Sequence, residues 1–364
     1  MSDTSPILFK SRSSTAKIPA DPAADRGLET PSPTLRRKTN RQYKFIRSIG
    51  FGGMKAVLLV YDMDTDREVA MAMMPDFRDR PAADRERFIG EARITARLEH
   101  PNIIPVYDMG LDEKGAPFFT MKYLRGESLA QYLQRVRKHE REAEESYTTE
   151  RILQIFVRVC NAIEFAHSRR VLHLDIKPNN VSLGDYGEVS VLDWGLATEL
   201  EEVPGGGKRL TRSVYKGTPG FMSPEQISGG RELDERADIY SLGALLYAML
   251  AVRDPMAGSP PDEALDAALR DRIPPPSEVA PEREIPSALE AIVIKAMAHH
   301  PADRYASVAE LKADVASFRE GFAPRAENAS VLRRAALFVN RNFVVTVLAA
   351  IIVILAAALI FVLR

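Results

Sequence analysis

Only one cysteine, Cys160, occurs in 364 residues. That excludes a disulfide framework and fits a reducing compartment. It lies in the apolar-periodic run "RILQIFVRVCNAIEFAH", where a lone thiol reads as core rather than nucleophile. A basic excess is missing too. The 49 Lys and Arg stand against 50 Asp and Glu, a net charge of −1, so no nucleic-acid partner is expected. Residues 1–42 contain no apolar core of signal-peptide length and are rich in Ser, Thr, Pro and Ala. They read as a disordered arm.

Long hydrophobic runs are absent until the end of the chain. There, "FVVTVLAAIIVILAAALIFVL", residues 343–363, carries no charge over 21 positions. At ~1.5 Å rise per residue it would reach about 31 Å, the thickness of a hydrocarbon core, and it reads as a transmembrane helix with lipid as its partner. Arg333, Arg334 and Arg341 precede it and Arg364 follows. The positive-inside bias then implies a single-pass protein of the cell membrane with its larger part cytoplasmic. Residues 320–342 read as a basic juxtamembrane linker.

Between arm and span the patterning changes once. "YKFIRSIGF", "KAVLLVYDM" and "REVAMAMM" alternate like strands joined by short turns. Residues 81–100 place Phe88, Ile89, Ala92 and Ala96 at helical spacing. Residues 102–124 read as a hairpin turning at "DEKG". This predicts a small lobe over 43–124 with a five-stranded sheet and one helix. Helical patterns dominate 125–319, including "ERADIYSLGALLYAMLA", which is apolar nearly all round and too short to cross a membrane. "RKHEREAEESYTT" reads as a solvated helix extension or loop. The expected fold class is therefore α+β: two lobes over 43–319, then the linker and the transmembrane helix. Ligands usually bind in clefts between such lobes.

The stretch "VLHLDIKPNNVSLGDYGEVSVLDWGLA", residues 171–197, concentrates chemistry. It puts His173, Asp175, Lys177 and Asn180, then Asp193, Trp194 and Gly195, on two loops flanking a short hairpin. Two aspartates, an asparagine and a lysine suit a divalent metal with polyphosphate. "GTPGFMSPEQ" follows from Gly217. Singly, each has a plainer reading: Asp175 and Asn180 as turn residues, Glu91 as a surface carboxylate, Trp194 as a core aromatic.

Together, over about Tyr43 to Phe318, they resemble the eukaryotic-like protein kinases of bacterial Ser/Thr type. "HLDIKPNN" is similar to H-R-D-L-K-P-x-N, "DWG" to D-F-G and "SPE" to A-P-E. The resemblance implies a bilobal kinase fold using ATP and Mg²⁺ to phosphorylate protein substrates on Ser/Thr, with a dimer for autophosphorylation among the expected partners. By the same resemblance, Asp175 orients the substrate hydroxyl and Lys177 neutralises the transferring phosphoryl group. Asn180 and Asp193 hold Mg²⁺, and Glu91 pairs with the phosphate-binding lysine. Asp238 braces the catalytic loop, and Glu225 pairs with Arg304. The nucleotide set comprises Ile49, Gly50, Gly52 and Gly53 of the loop, with Val57, Ala70 and Leu183 around the adenine. Met121 is the gatekeeper, and the hinge runs from Lys122 to Leu124. Thr218 resembles the threonine that contacts the catalytic aspartate and lysine.

Three positions depart from that pattern. Leu174 replaces the arginine of H-R-D, so the activation segment, residues 193–225, must be ordered in another way. That segment also carries Thr211 and Ser213 near Lys208, Arg209 and Arg212. Thr95 stands where an apolar residue is usual, and its hydroxyl can bond to the helix carbonyl one turn back. Ala72 occupies the lysine position of V-A-I-K. Residues two apart on a strand share a face, so Lys55, two before Val57, points into the same cleft. "GFGGMKAV" with "VAMA" resembles the with-no-lysine kinases at these positions, which implies that Lys55 carries the displaced lysine's role. The alternative is a pseudokinase scaffold. A small-molecule kinase is disfavoured by "GTPGFMSPE", which resembles a peptide-docking segment.

Overall fold

The alternating segments near the N-terminus pair as an antiparallel sheet in the computed structural model, which describes residues 8–10, 42–51, 55–202, 208–209, 217–229, 233–343, 346–348, 351–352 and 354–356. The chain divides into two units, residues 1–126 with 183–197, and residues 127–182 with 198–364.

In the first unit the strands are β1 (Leu8–Lys10), β2 (Gln42–Phe51), β3 (Ala56–Asp62), β4 (Arg67–Met73), β5 (Val106–Leu111) and β6 (Pro117–Lys122). They pair in the order β1-β2-β3-β4-β6-β5. The five expected strands form, and β1 adds a sixth at the edge. The rest of the N-terminal arm lies outside the described residues. The β3–β4 turn is held by the buried Asp62 carboxylate, which accepts from the backbone N–H of Asp64 at 3.1 Å and the Thr65 hydroxyl at 2.7 Å.

Register decides which side chains share a face. Val57 lies opposite Ala72, Leu59 opposite Ala70, Ala70 opposite Met121 and Ala72 opposite Phe119. Directly opposed residues point to the same side. Helix α1 (Ala82–Arg97) covers that side, and its Phe88 and Ala92 close a core with Ala72, Met74 and Phe119. The opposite face buries Tyr43, Val60, Val69, Met71 and Phe118, with the Tyr43 and Phe118 rings edge to face at 5.7 Å. Burying side chains of this size stabilises by roughly 1.5–3 kcal/mol each.

The second unit is helical: α2 (Leu129–Arg137), α3 (Arg141–Ser146), α4 (Thr149–Ser168), α5 (Pro224–Ile227), α6 (Glu235–Ala251), α7 (Pro261–Leu269), α8 (Pro276–Val279), α9 (Ser287–Ala296), α10 (Val308–Arg319) and α11 (Val331–Arg341). Ser128 and Gln131 cap α2 reciprocally, and Thr148, Asp234 and Ser307 cap α4, α6 and α10. Residues 237–251 of α6 are all buried, as its apolar circumference requires. The charged stretch after α2 becomes α3, pinned by the buried Ala143. Cys160 is buried in α4, and that burial pushes its thiol up, out of the nucleophile range.

One expectation is corrected. No helix of the described residues is long and apolar enough to cross a membrane. The last bounded helix, α11, has 11 residues, so it reaches only about 16 Å, and it carries Arg333, Arg334 and Arg341. Residues 344–345, 349–350, 353 and 357–363 of the predicted span lie outside the described residues.

Arg304 fastens α5 into the second unit. Its fully buried guanidinium meets the Glu225 carboxylate at 2.6 and 2.9 Å. It also donates to the carbonyls of Ala298, Arg236 and His299. Removing one partner of such a pair leaves a desolvated charge, at a cost of about 3–5 kcal/mol. Arg304→Met is expected to lower unfolding stability by that order in urea titration, and Arg304→Met with Glu225→Leu to recover much of the loss.

Candidate functional site

The first unit gathers three charged side chains. Lys55 precedes β3, and its ammonium donates to Glu91 on α1 and to Asp193 Oδ1 at 2.8 Å. Burial opposes a charged lysine, but attraction to Glu91 and Asp193, with the two hydrogen bonds, outweighs it and raises the Lys55 pKa. Burial, with Asp193 nearby, pushes the Glu91 carboxyl up against the pull of Lys55. Gly195 lies against both acids. A Cβ there would come within 3.2 Å of Asp193 Oδ1 and of Glu91 Oε2, so only glycine leaves the carboxylates this close without displacement. Asp193 itself has left-handed backbone, φ 59°, which aspartate tolerates better than most residues.

Position 72 shows why no second cation stands there. Ala72 is fully buried within the apolar core under α1. Val57, Ala70 and Met121 share that sheet face through the strand register. Gly50 lies opposite Val57, and Ile49 precedes it on β2. Gly52 and Gly53 lie outside the described residues. Lys122 ends β6, and its backbone N–H donates to Pro105 O at 3.1 Å. Leu124 follows and Leu183 is buried, both within this unit. Thr95 donates its hydroxyl to Glu91 O at 2.7 Å, one helical turn back, so its polar atom is satisfied inside α1.

The second unit holds another group. Asp238 of α6 is fully buried and collects three donors: backbone N–H groups of His173 and Leu174, each at 2.8 Å, and the His167 ring at 2.8 Å. This anchors the loop at Leu174, which takes left-handed φ 62° and is buried. The next residue, Asp175, accepts from Lys177 Nζ at 2.7 Å and from the Thr218 hydroxyl at 3.0 Å. Lys177 also donates to Thr218 Oγ1 at 2.7 Å. Asn180 donates its amide to Asp175 O at 2.8 Å and Oδ2 at 3.1 Å. Thr218 is thus hydrogen-bonded to both catalytic-loop residues. Thr211, Ser213 and Arg212 lie outside the described residues.

The donor set suits a hard cation. Asp193 is 41% exposed where Glu91 is 9% exposed, so of the two acids it is Asp193 that a hydrated ion reaches. Asn180 spends its amide nitrogen on Asp175, which leaves Oδ1 as its acceptor atom. Carboxylate and amide oxygens are each the kind of ligand that Mg²⁺ takes, and the first unit presents one at Asp193 and the second the other at Asn180.

A model of the protein kinase domain matches residues 43–315. The chain belongs to the protein kinase family. It is 37% identical over 302 residues to Serine/threonine-protein kinase PknD of Chlamydia trachomatis serovar D, covering 77% of this chain and 32% of that protein. It is 38% identical over 298 residues to PknD of Chlamydia pneumoniae, covering 77% and 31%. With PknD of Chlamydia caviae the identity is 36%. The chain spans about a third of the length of these curated relatives.

Some contacts of this kinase domain escape the motifs. The bond from Lys55 to Asp193 joins residues 138 apart, and the order of residues signals neither it nor the approach of Gly195. His167 beside Asp238, and Gln226 donating to Leu174 O at 2.9 Å, are likewise set by packing.

Burial would raise the Asp238 pKa, but the His167 hydrogen bond, the nearby histidine charges and the backbone donors overcome it and hold the carboxyl below its ordinary value. A depressed folded-state pKa contributes stability that is present above the unfolded value of about 3.9 and is lost as pH falls through the folded one. Asp238→Asn is expected to cost about 1–3 kcal/mol at neutral pH. In urea unfolding the gap between variant and parent should close as pH drops below about 4.

Proposed function

We propose that the chain is a Ser/Thr protein kinase that transfers the γ-phosphoryl group of ATP to protein hydroxyls, with Lys55 as its phosphate-binding lysine. The observation that carries the reading is Lys55 bound at once to Glu91 and Asp193. The kinase family places its strand lysine against the same helix carboxylate, and here the strand position is a buried alanine.

ATP supplies the transferable group, and Mg²⁺ neutralises the charge that builds on its oxygens. Lys55 stays protonated and is held at a fixed point, ready to meet phosphate oxygens. Glu91 orients the ammonium. By the family's motifs, Asp193 would hold the metal through a carboxylate oxygen and Asn180 through its amide oxygen. Asp175 accepts the hydrogen bond of the incoming hydroxyl and takes its proton as the new bond to the γ-phosphorus forms and the bond to the bridging oxygen breaks, releasing ADP. Lys177, bonded to Asp175, carries positive charge to the transferring group. Electrostatic groups fixed in advance of the reaction lower its barrier without reorganisation. Support for Ser/Thr protein substrates comes from the named relatives and from Thr218 tied to Asp175 and Lys177.

The decisive comparison is autophosphorylation of the full chain with labelled ATP in parent, Lys55→Met and Asp175→Asn. Both variants are expected to lose at least about 100-fold in rate, the scale for removing one preorganised charge at such a site. Activity that persists in Lys55→Met but vanishes in Asp175→Asn would remove Lys55 from its assigned role. No transfer by the parent, with no rise in Tm on adding ATP and Mg²⁺, would leave the scaffold reading.

A further inference from the structure

Between α6, α7 and α9 of the second unit lies a cavity of about 420 Å³. That is within the size range of small-molecule sites, which are mostly apolar with a few placed polar groups. Tyr240 and Tyr247, about two turns apart on one face of α6, line it together with Val293 of α9. Three consecutive prolines, residues 274–276, form a further wall. A proline wall brings no backbone N–H and a fixed φ, so it is apolar and stiff. The lining is also supported from behind. Ala268 and Ile273 pack with Met222 and Ile227, and Met297 packs against Phe221, Ala244 and Ala248. Two cores therefore hold the walls in place without an occupant.

Two polar atoms of the lining residues are unanswered. Tyr247 is 1% exposed, and its hydroxyl is buried with no hydrogen-bond partner among the described residues. His299 also lines the cavity, and its Nδ1 is buried without a partner among them, although its carbonyl accepts from Arg304 at 3.0 Å. A buried polar atom left unpaired is unfavourable, and a hydrogen-bonding group of a ligand relieves it. Burial, with the carboxylates of Glu278 and Glu290, pushes the Tyr247 pKa up to about 12, so the hydroxyl keeps its proton and donates at neutral pH. The lining includes Asp271 and Asp303, both exposed, and no Lys or Arg. Like charge placed beside like is costly, so this rim disfavours an anion.

We infer that this cavity is a binding site for an uncharged aromatic small molecule of about two fused rings, which packs on the tyrosines and prolines and offers hydrogen-bonding groups to the Tyr247 hydroxyl and to His299 Nδ1. Aromatic walls gain from offset or edge-on contact with a flat ring beyond the area they bury. None of these residues belongs to the group around Asp175, so binding here does not depend on phosphoryl transfer.

The test is isothermal titration calorimetry of the full chain with three probes. They are 2-naphthol, 2-methylnaphthalene (a methyl in place of the hydroxyl) and the anion 2-naphthoate. The parent is expected to bind 2-naphthol about tenfold more tightly than 2-naphthoate. Tyr247→Phe should weaken 2-naphthol about five- to tenfold, the scale of one hydrogen bond, and leave 2-methylnaphthalene unchanged. The same variant should unfold at the parent's Tm or above it, because it removes a hydroxyl that has no partner in the free protein. Three results each overturn the inference: no binding of 2-naphthol by the folded parent, equal effects of Tyr247→Phe on the two neutral probes, or 2-naphthoate bound as tightly as 2-naphthol. A Tm for Tyr247→Phe well below the parent's overturns it too, since the hydroxyl would then be engaged before any ligand arrives.

Discussion

The first unit is organised around one ammonium shared by two carboxylates. Burial penalises the charges of Lys55 and Glu91, and the two acids repel each other. Lys55 resolves the repulsion by standing between them. Several local choices then make sense as consequences. The positive charge of the group comes from residue 55, just before β3. A side chain at residue 195 would push the two acids by a few tenths of an ångström, which glycine avoids. Residue 72 is free to be apolar, and it closes the core under α1 instead of interrupting it.

The second unit solves a similar problem with neutral donors. Asp238 is buried without a lysine or arginine, and its charge is balanced by two backbone N–H groups and a histidine. Those backbone bonds hold the loop where Leu174 turns left-handed, and the turn brings Asp175 to Lys177, Asn180 and Thr218. A residue in an unfavourable backbone region persists only when its surroundings over-determine it. Here the bonds to Asp238 and the bond from Gln226 to the Leu174 carbonyl supply that constraint. The Asp175 carboxylate is therefore positioned by a second carboxylate, Asp238, which is fully buried.

Much of this was legible in the sequence, for physical reasons. Strand period placed Lys55 with Val57, which local geometry records directly. Glu91 as its partner came from the family resemblance, because on helical spacing alone it read as a surface carboxylate. Asp193 as a second partner of Lys55 was not legible, because it depends on how a distant loop folds back. The transmembrane helix expected over residues 343–363 was not borne out, since no helix of the described residues is long and apolar enough to cross a membrane. The bounded helix before them, α11, is short and carries three arginines, a feature the hydropathy of the later run does not convey. The sheet's edge was also incomplete in the reading. Leu8–Lys10 pairs onto β2 from within a segment whose composition suggests no strand, since edge pairing needs backbone groups more than side-chain pattern.

Leu174 has a further consequence for how the activation segment is held. An arginine in its place would present a charge, and a charge invites control by an anion. Leu174 presents none; its side chain is buried, and both its backbone groups are engaged. The described end of the segment is instead tied by Thr218 to Asp175 and Lys177, and by Gln226 to the Leu174 carbonyl. The last of these joins two uncharged, buried groups, so ionic strength has little hold on it. Its strength depends on water being kept out, because a buried amide loses most by becoming unpaired. Order in this part of the segment thus draws on packing over α6, where Phe221 shares a core with Ala244 and Ala248, beside the bonds made by Thr218 and Gln226.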